Sequence, residues 1–417
     1  MSEALQGPER SPGRPHSRWN RLGWRAFYCF VALAFSILLL ELLVRILYAA
    51  GILHLPGPVC VIEYRDGAMQ FDPIRGYRLS STPARFAQVT NGVIEFQSVI
   101  RGNNQGFADR DDFAARRGTP NRFRIAVLGD SFTAAPYLRE NWPDKVEDLA
   151  REAGQSVELL NCAIHGGGLA NWWRMVTQLF EPEGYELDAV VIAVLAHDLT
   201  RHFFISEHRG YDKWMCGFVS DPPSEPWPLT LEEARPYLKE VDGILASPDR
   251  FDAYLRGDVH PNQPQGFWEP YCMLWIRPAA ELAVEYLGYL YSVITTGKMP
   301  AFLPEDFQNW QTTMTAEIAS YAKRHGLPVL VVRVPLKDDL LKDSPPDPLI
   351  NLFATGLGAT VEDGAKAFDG LDEEAIDAAW LPYDVHWGQP GSDRFAAFMF
   401  DTLRTWTRDF GGAASNR

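Results

Sequence analysis

Short, continuous apolar runs alternate with amphipathic stretches along much of this chain of 417 residues. Continuous apolar runs are typical of buried strands, and apolar residues that recur every three or four positions are typical of helices. Strands that alternate with helices through short links favour a parallel sheet covered on both faces, which is an α/β fold. The predicted strands are 124–129, 156–164, 188–196 and 329–334, and the predicted helices lie near 142–153, 169–180, 312–325 and 392–406.

The longest apolar segment lies near the N-terminus, at 26–53, where only Glu41 and Arg45 interrupt it. A bilayer core requires about 20 mostly apolar residues in a helix, so this segment is predicted to be a transmembrane anchor. Glu41 and Arg45 stand four positions apart, where they can pair on one helix face. Two other interpretations stay open: a cleaved signal peptide and a buried core helix.

Residues 1–25 form a basic tail ahead of the apolar segment. Positive charge flanking a span favours the cytoplasmic side of the membrane. The N-terminus is therefore expected in the cytoplasm, and the rest of a single-pass protein in the periplasm or outside the cell. The arginines of the tail are Arg10, Arg14, Arg18, Arg21 and Arg25.

After the anchor, the chain divides into segments that differ in their pattern of predicted strands, helices and turns. Residues 54–122 are rich in turn-forming positions and are expected to be a lead-in segment that packs on the main domain, 123–412. An insertion at about 202–302 breaks the alternation of strands and helices, and its helical stretch from Met273 to Thr296 carries a polar stripe that disfavours a second span. A lid over a sugar substrate, core packing or contact with the membrane surface would each explain the insertion's aromatic residues Trp214, Trp227, Trp268 and Trp275.

Two short motifs carry the candidate chemistry. Gly129-Asp130-Ser131 follows a predicted strand directly, and ligands of open parallel sheets bind beyond the carboxyl ends of strands. A serine hydroxyl requires a base that a third group orients, and Asp384-Val385-His386 supplies both. Each motif alone is also ordinary turn chemistry. Their combination predicts a catalytic triad of Ser131, His386 and Asp384.

These motifs resemble the SGNH/GDSL hydrolase superfamily. Gly129-Asp130-Ser131 matches its first block, and the residues before it, from Asn104 to Phe107 and Phe123-Arg124, resemble the lead-in of membrane-anchored bacterial members. Leu160 to Gly166 resembles the second block. The resemblance implies a three-layer α/β/α sandwich with a parallel, flavodoxin-like sheet. It also implies an oxyanion hole built from the N–H groups of Ser131 and Gly166, with Gly167 and Gly168 as rivals of Gly166.

The chain departs from this family in two places. His197 stands at the end of the strand 188–196, where the family has an asparagine that completes the oxyanion hole; an imidazole N–H can also donate there. The spacing of Asp384 and His386 is shorter than the family's common spacing and, with Trp387, resembles alginate-type polysaccharide acetyltransferases. As site neighbours the resemblance offers Asp130, Asn104 and His165.

Composition limits the partners and cofactors. The net charge of −15 and a pI of about 5.1 argue against nucleic acid, which requires a basic face. Among the five cysteines, Cys216 and Cys272 are natural candidates for a disulfide in an oxidising compartment. No cysteine or histidine cluster has the spacing of a zinc site, so neither a metal nor another cofactor is expected.

Together these features predict a membrane-anchored, extracytoplasmic esterase that removes acyl groups, acetyl above all, from a carbohydrate or other ester. Its partners are expected to be the acylated small molecule or glycan and the membrane. Two alternatives stay open. One is an O-acetyltransferase that modifies an exported or envelope polysaccharide through the same acyl-enzyme. The other is an inactive binding or assembly protein that keeps the fold, for which His197 is the hint.

Overall fold

The computed structural model describes residues 18–49, 58–63, 68–90, 93–120, 122–209, 213–219, 230–240, 243–258, 305–342 and 344–406. The chain separates into two units, one of 1–55 with 262–295 and one of 56–261 with 296–417. The helix predicted from Met273 to Thr296 lies outside the described residues, as do Trp227, Trp268, Trp275 and Cys272. Cys216 has a free thiol.

In the first unit, the apolar N-terminal segment is one helix, Arg18–Ala49. Its stretch Trp24–Leu43 has a mean hydropathy of 2.3 and is, by length and composition, the one helix among the described residues that could cross a membrane. A signal sequence has the same properties.

The second unit is built on a parallel sheet of five strands. Counting strands in chain order, the sheet has the order β14-β13-β8-β6-β7, and all neighbouring strands are parallel. β6 and β8 are buried along their whole length because their apolar runs face helices on both sides. The five strands are β6 (Phe123–Leu128), β7 (Val157–Asn161), β8 (Ala189–Val194), β13 (Val329–Arg333) and β14 (Thr360–Asp363).

The helices of this unit form two packed groups, one with Trp142–Glu152 against Gln389–Trp406 and one with Glu305–His325 against Leu169–Met175 and Pro348–Leu357. The predicted α/β fold, with a parallel sheet between helices, is confirmed. The short helices are Ser131–Ala134, Glu181–Glu183, Leu231–Ala234, Pro248–Arg256, Lys337–Leu341 and Glu373–Ala379, with 3-10 turns at Ala196–Thr200, Arg235–Tyr237 and Gly364–Phe368 and a π-helical turn at Val176–Phe180.

The lead-in segment forms sheets of its own. β1, β4 and β5 make an antiparallel meander, and β12 joins it parallel to β1, so a strand of the predicted insertion completes a sheet of the lead-in. β2 pairs with β3, and β9, β10 and β11 form a further small sheet. These strands are β1 (Pro58–Glu63), β2 (Met69–Asp72), β3 (Gly76–Leu79), β4 (Ala84–Thr90), β5 (Val93–Ile100), β9 (Phe203–Arg209), β10 (Lys213–Val219), β11 (Lys239–Glu240) and β12 (Gly243–Ala246).

The strand order of the five-stranded sheet determines where a site can form. Leaving β6, the chain moves outward to β7, then returns past β6 to β8 and continues in the opposite direction. Ligands of open parallel sheets bind in the crevice beyond the strand ends at such a reversal. The carboxyl ends of β6 and β8 therefore mark the expected position of a site, and Ser131 and His197 follow those two strands.

Candidate active site

The serine turn, Gly129–Ala134, presents Ser131 directly beyond β6. Gly129 is required there, because an added Cβ would lie 2.4 Å from Thr133 Oγ1. The indole of Trp172 donates from Nε1 to the carbonyl of Gly129 at 3.0 Å. These buried contacts fix the turn, and Ser131 begins a helical turn with its hydroxyl at the strand end.

Asp130 supports the serine turn. Its sequence neighbours Ser131 and Phe132 donate hydrogen bonds to its carboxylate. Its Oδ1 accepts from the N–H of Phe132 at 2.9 Å and so caps the helical turn. Its Oδ2 lies 3.4 Å from Ser131 Oγ, and its side chain is almost completely buried. Asp130 therefore acts as a local neighbour of the serine.

The acid loop, Leu381–Gly388, carries the other two residues of the predicted triad. Trp380 and Trp387 form a β-bridge across its base, and the N–H of Leu381 donates to the carbonyl of His386 at 2.9 Å. Trp387 is completely buried, whereas Val385 at the tip is 65% exposed. The loop is therefore held at its base and open to solvent at its tip.

Ser131, His386 and Asp384 meet in one chain of hydrogen bonds. His386 Nε2 lies 2.7 Å from Ser131 Oγ, and His386 Nδ1 contacts Asp384 Oδ1. The N–H of His386 also donates to Asp384 Oδ1, at 3.0 Å. Because a carboxylate accepts, the ring proton belongs on Nδ1, which leaves Nε2 free to accept the serine proton. The arrangement can activate a serine hydroxyl.

The charge of Asp384 is well supported. Burial alone would raise the pKa of Asp384, but the hydrogen bonds from His386 and Gln88 outweigh burial and hold this pKa well below its ordinary value of 3.8. The carboxylate therefore stays ionised at neutral pH and can stabilise a protonated His386 during the reaction.

Aromatic side chains surround the ring of His386. The rings of Phe132 and Tyr137 have their centroids 4.7 and 4.9 Å from it, and His165 stacks at 6.1 Å with an interplanar angle of 20°. Burial, together with the neighbouring His386, lowers the pKa of His165 to about 3. His165 is therefore neutral at physiological pH, and its backbone N–H donates to the hydroxyl of Tyr77 at 3.0 Å.

The backbone N–H groups near Ser131 differ in whether they are already bonded. Among the described residues, those of Ser131, Gly166 and Gly168 have no backbone hydrogen-bond partner, whereas that of Gly167 donates to the carbonyl of Ile164 at 2.8 Å. Gly166 has a φ of +82°, and an added Cβ would lie 2.9 Å from the ring of Phe204. The backbone conformation at this position therefore favours glycine.

His197 lies in the 3-10 turn beyond β8, with 48% of its side chain exposed. Its Nε2 is 3.6 Å from Asp198 Oδ1. Burial, together with the positive charge of Arg201, lowers the pKa of His197. The neutral imidazole, which keeps one N–H donor, is therefore favoured in this position.

A charged cluster lies beside His197. Arg201 Nη1 is 2.9 Å from Asp198 Oδ1 and 3.6 Å from Asp130 Oδ2, and it donates to the carbonyl of Gly167 at 3.0 Å. The ligand atoms of Asp130, His197 and Asp198 lie within 4.8 Å of one another, which is a separation that a metal ion could bridge. Burial, together with the neighbouring charge of Asp130, raises the pKa of Asp198 well above its ordinary value of 3.8, and the guanidinium of Arg201 opposes this shift.

Asn104 is placed apart from this arrangement. Its side chain exchanges two hydrogen bonds with the backbone of Phe113, at 2.9 and 3.1 Å, and its N–H donates to Asp112 at 2.8 Å. These bonds close the loop between positions 104 and 113, and none of them reaches the triad. Asn104 therefore shapes the lead-in segment.

The structure adds residues to the site that the motifs do not indicate. Gln88, on β4, donates from Nε2 to Asp384 Oδ2 at 2.9 Å. Arg201 reaches both Asp130 and Asp198. Arg201 stands three positions after Asp198, and this spacing just beyond a strand is the signal in the sequence that could have indicated an ion pair there. Nothing in the local sequence marks Gln88.

Comparisons with known proteins give a likeness of fold. No protein-family model and no curated protein matches the chain. Similar crystal structures include a lipase/acylhydrolase from Enterococcus faecalis, with 11% identity and a TM-score of 0.33 over 68% of this chain and 96% of that one. The psychrotrophic esterase EstA from Pseudoalteromonas sp. has 12% identity and a TM-score of 0.34 over 68% and 97%.

AlinE4, an esterase of the SGNH-hydrolase family, has 11% identity and a TM-score of 0.30 over 69% of this chain and 98% of that one. Scores this low carry no weight for activity, which has to be inferred from the side chains.

Proposed function

We propose that the protein is a serine esterase in which Ser131 is the nucleophile, His386 the general base and acid, and Asp384 the residue that orients the imidazole. The observation that carries the proposal is the 2.7 Å contact between His386 Nε2 and Ser131 Oγ, with Asp384 behind the ring. An oriented base within hydrogen-bond reach is the requirement for serine activation.

In the proposed reaction, Ser131 Oγ attacks the carbonyl carbon of an ester while His386 Nε2 takes its proton. The negative charge that develops on the carbonyl oxygen is stabilised by the N–H groups of Ser131 and Gly166, with His197 as a third donor. His386 then gives the proton to the leaving alcohol, and an acyl-enzyme remains. Water, deprotonated by His386, releases the acid and restores Ser131.

An acyl-enzyme can also pass its acyl group to a sugar hydroxyl, which would make the protein an O-acetyltransferase. The feature of this chain that resembles alginate-type polysaccharide acetyltransferases is the short Asp384-Val385-His386-Trp387 motif. Trp387 is completely buried against Phe132 and Phe395, with ring centroids 4.9 Å away in both cases. It therefore supports the acid loop and offers no face to a sugar, so Trp387 gives no support to a transferase.

The proposed location is the outer face of a membrane, with Trp24–Leu43 as the anchor. The basic tail ahead of this helix would keep the N-terminus in the cytoplasm. An acylated glycan or another ester outside the cytoplasm would then be the substrate. Protease digestion of spheroplasts, whose outer membrane has been opened, tests this in cells that express a C-terminally tagged chain: loss of the tag supports the location, and protection contradicts it.

Hydrolysis of a short-chain aryl acetate by the full-length protein in detergent tests the reaction. Ser131→Ala and His386→Ala should each lower kcat by about 10⁴-fold or more, because each removes a member of a unit that acts together. Ser81→Ala and His325→Ala, at exposed positions, are matched controls that should retain the wild-type rate. Residual activity in Ser131→Ala near that of the controls would refute the proposal.

An added glycan acceptor separates the two reactions. Under the proposal, acceptor leaves the release of acetate unchanged. A fall in acetate release with matching acetylation of the glycan would identify a transferase that uses the same residues.

A further inference from the structure

Gln88 connects the triad to the sheet of the lead-in segment. Its side chain is 3% exposed, and it stands on β4 where the register with β5 shifts between Gln88 and Val89. Its Nε2 donates two hydrogen bonds, one to Asp384 Oδ2 at 2.9 Å and one to Glu95 Oε2 at 2.8 Å. A β-bulge re-aims a side chain, and here the amide is aimed at the triad.

Glu95, on β5, bonds both Gln88 and the residue next to Asp384. It accepts hydrogen bonds from the hydroxyl of Thr90 and, at 2.8 Å, from the N–H of Tyr383, the residue next to Asp384. Both partners of the Gln88 amide are carboxylates, which accept hydrogen bonds. The amide must therefore turn its NH₂ group toward them, so the chemistry of the neighbours fixes its orientation.

The consequence for Asp384 is that each of its oxygens has a separate task. Oδ1 receives both hydrogen bonds from His386, one from the ring and one from the backbone N–H. Oδ2 receives the bond from Gln88. A carboxylate held at both oxygens cannot rotate without breaking a charge-assisted hydrogen bond, which is about twice as strong as a neutral one.

We propose that Gln88 is a positioning residue for the triad, held in place by Glu95, so that one side chain of β4 and one of β5 in the lead-in segment support the catalytic residues. This inference rests on the proposed esterase function. Gln88 acts through Asp384, whose orientation sets that of His386 and so the readiness of His386 to take the Ser131 proton.

A fluorophosphonate probe separates positioning from folding. The probe forms a covalent bond with an activated serine, so the final extent of labelling counts folded sites and the rate constant reports how reactive each site is. Gln88→Met keeps the length of the side chain but removes the donor. Gln97→Met, at an exposed position on β5, is the matched control.

In full-length protein, Gln88→Met should lower the labelling rate constant about tenfold or more, because a hydrogen bond to a charged group is lost. The extent of labelling should stay at the wild-type level. For aryl acetate hydrolysis, kcat should fall by a similar factor with KM unchanged. Glu95→Gln, which leaves Gln88 in place but loosens its orientation, should lower the rate about threefold, and Gln97→Met should change neither quantity.

Labelling of Ser131 in the wild type, with an unchanged rate constant in Gln88→Met, would overturn this inference and leave the esterase proposal standing. If Gln88→Met does not fold, Glu95→Gln decides, and a wild-type rate in that variant overturns the inference. A wild-type protein that does not label at Ser131 refutes the esterase function and this inference with it.

Discussion

The serine turn and the acid loop meet at one hydrogen bond, yet they are held in place in different ways. Asp130, Ser131, Phe132 and Thr133 are all buried, and the serine turn follows directly from β6. The acid loop exposes 55% of Tyr383 and 65% of Val385. Its acid is held from β4, by a residue that is 296 positions away in sequence.

The difference shows how the proposed triad combines two kinds of order. The proposed nucleophile requires a fixed backbone path, and buried local contacts supply it. The acid requires a fixed carboxylate at the solvent boundary, where few apolar contacts are available. Hydrogen bonds from another sheet supply the order there. Changes of the backbone should therefore affect the serine turn most, and changes of polar side chains should affect the acid loop most.

Among the tests of this contrast, the largest loss of kcat is expected in Gly129→Ala, with Gly388→Ala as its counterpart in the acid loop. At Gly129 an added Cβ would lie 2.4 Å from Thr133 Oγ1, whereas at Gly388 its nearest neighbour would be Pro390 Cδ at 3.6 Å. Overpacking a buried turn costs about 1–3 kcal/mol of stability, and the displaced nucleophile should lower kcat about 100-fold.

For Gly388→Ala, kcat should stay within about twofold of wild type, since ordinary van der Waals contact carries no strain. Gly118→Ala, where the added Cβ would meet nothing within 4 Å, is the control for the substitution itself. Thermal melting and aryl acetate hydrolysis measure both effects. Equal losses in Gly129→Ala and Gly388→Ala would contradict the contrast between the two regions.

A smaller effect is expected at the third oxyanion donor. His197→Ala should lower kcat/KM about tenfold, which is less than the roughly 100-fold loss typical of such donors, because its side chain is 48% exposed. His197→Asn keeps an N–H donor and should recover most of this loss. Wild-type rates in both variants would remove His197 from the site and leave the backbone N–H groups of Ser131 and Gly166.

The smallest effect concerns stability as a function of pH. Burial raises the pKa values of Asp144 and Glu147, in the helix beside β7, to about 7 from ordinary values of 3.8 and 4.5. The folded state then holds protons that the unfolded state releases, so the free energy of unfolding should fall as pH rises from about 4 to about 7.

Asp384, in the acid loop, changes the free energy of unfolding with pH in the opposite direction. The pKa of Asp384 is lowered by its hydrogen bonds, so its stabilising contribution is present above its ordinary value of 3.8 and is lost as pH falls below it. Buried His165, whose pKa is lowered to about 3, also makes stability rise with pH, so the test is the difference between variants. Between pH 4 and 7, the melting temperature of Glu147→Gln should rise relative to that of wild type as the pH rises. Glu152→Gln, exposed on the same helix, is the control. An identical pH dependence of the melting temperature in Glu147→Gln and wild type would refute this assignment.

Strands β6, β8 and β13 could be predicted closely, because a fully buried strand of a parallel sheet must be apolar at every position. Boundaries were less exact. The strand predicted over 156–164 ends at Asn161, whose side-chain amide bonds the carbonyls of Ala108 and Thr133, and the helix predicted from 312 begins at Glu305. Polar contacts with distant segments decide such ends, and local pattern does not contain them.

The amino-acid sequence by itself determined the α/β alternation, the apolar N-terminal helix, and the two motifs that hold Ser131, Asp384 and His386, because each depends on residues close together in the chain. Only the tertiary structure decided that Gln88 and Glu95 hold the acid, that Arg201 joins Asp130 to Asp198, and that Asn104 stays outside the site. Hydrogen bonds between distant segments depend on which faces come into contact when sheets pack, and the local sequence pattern does not specify those contacts.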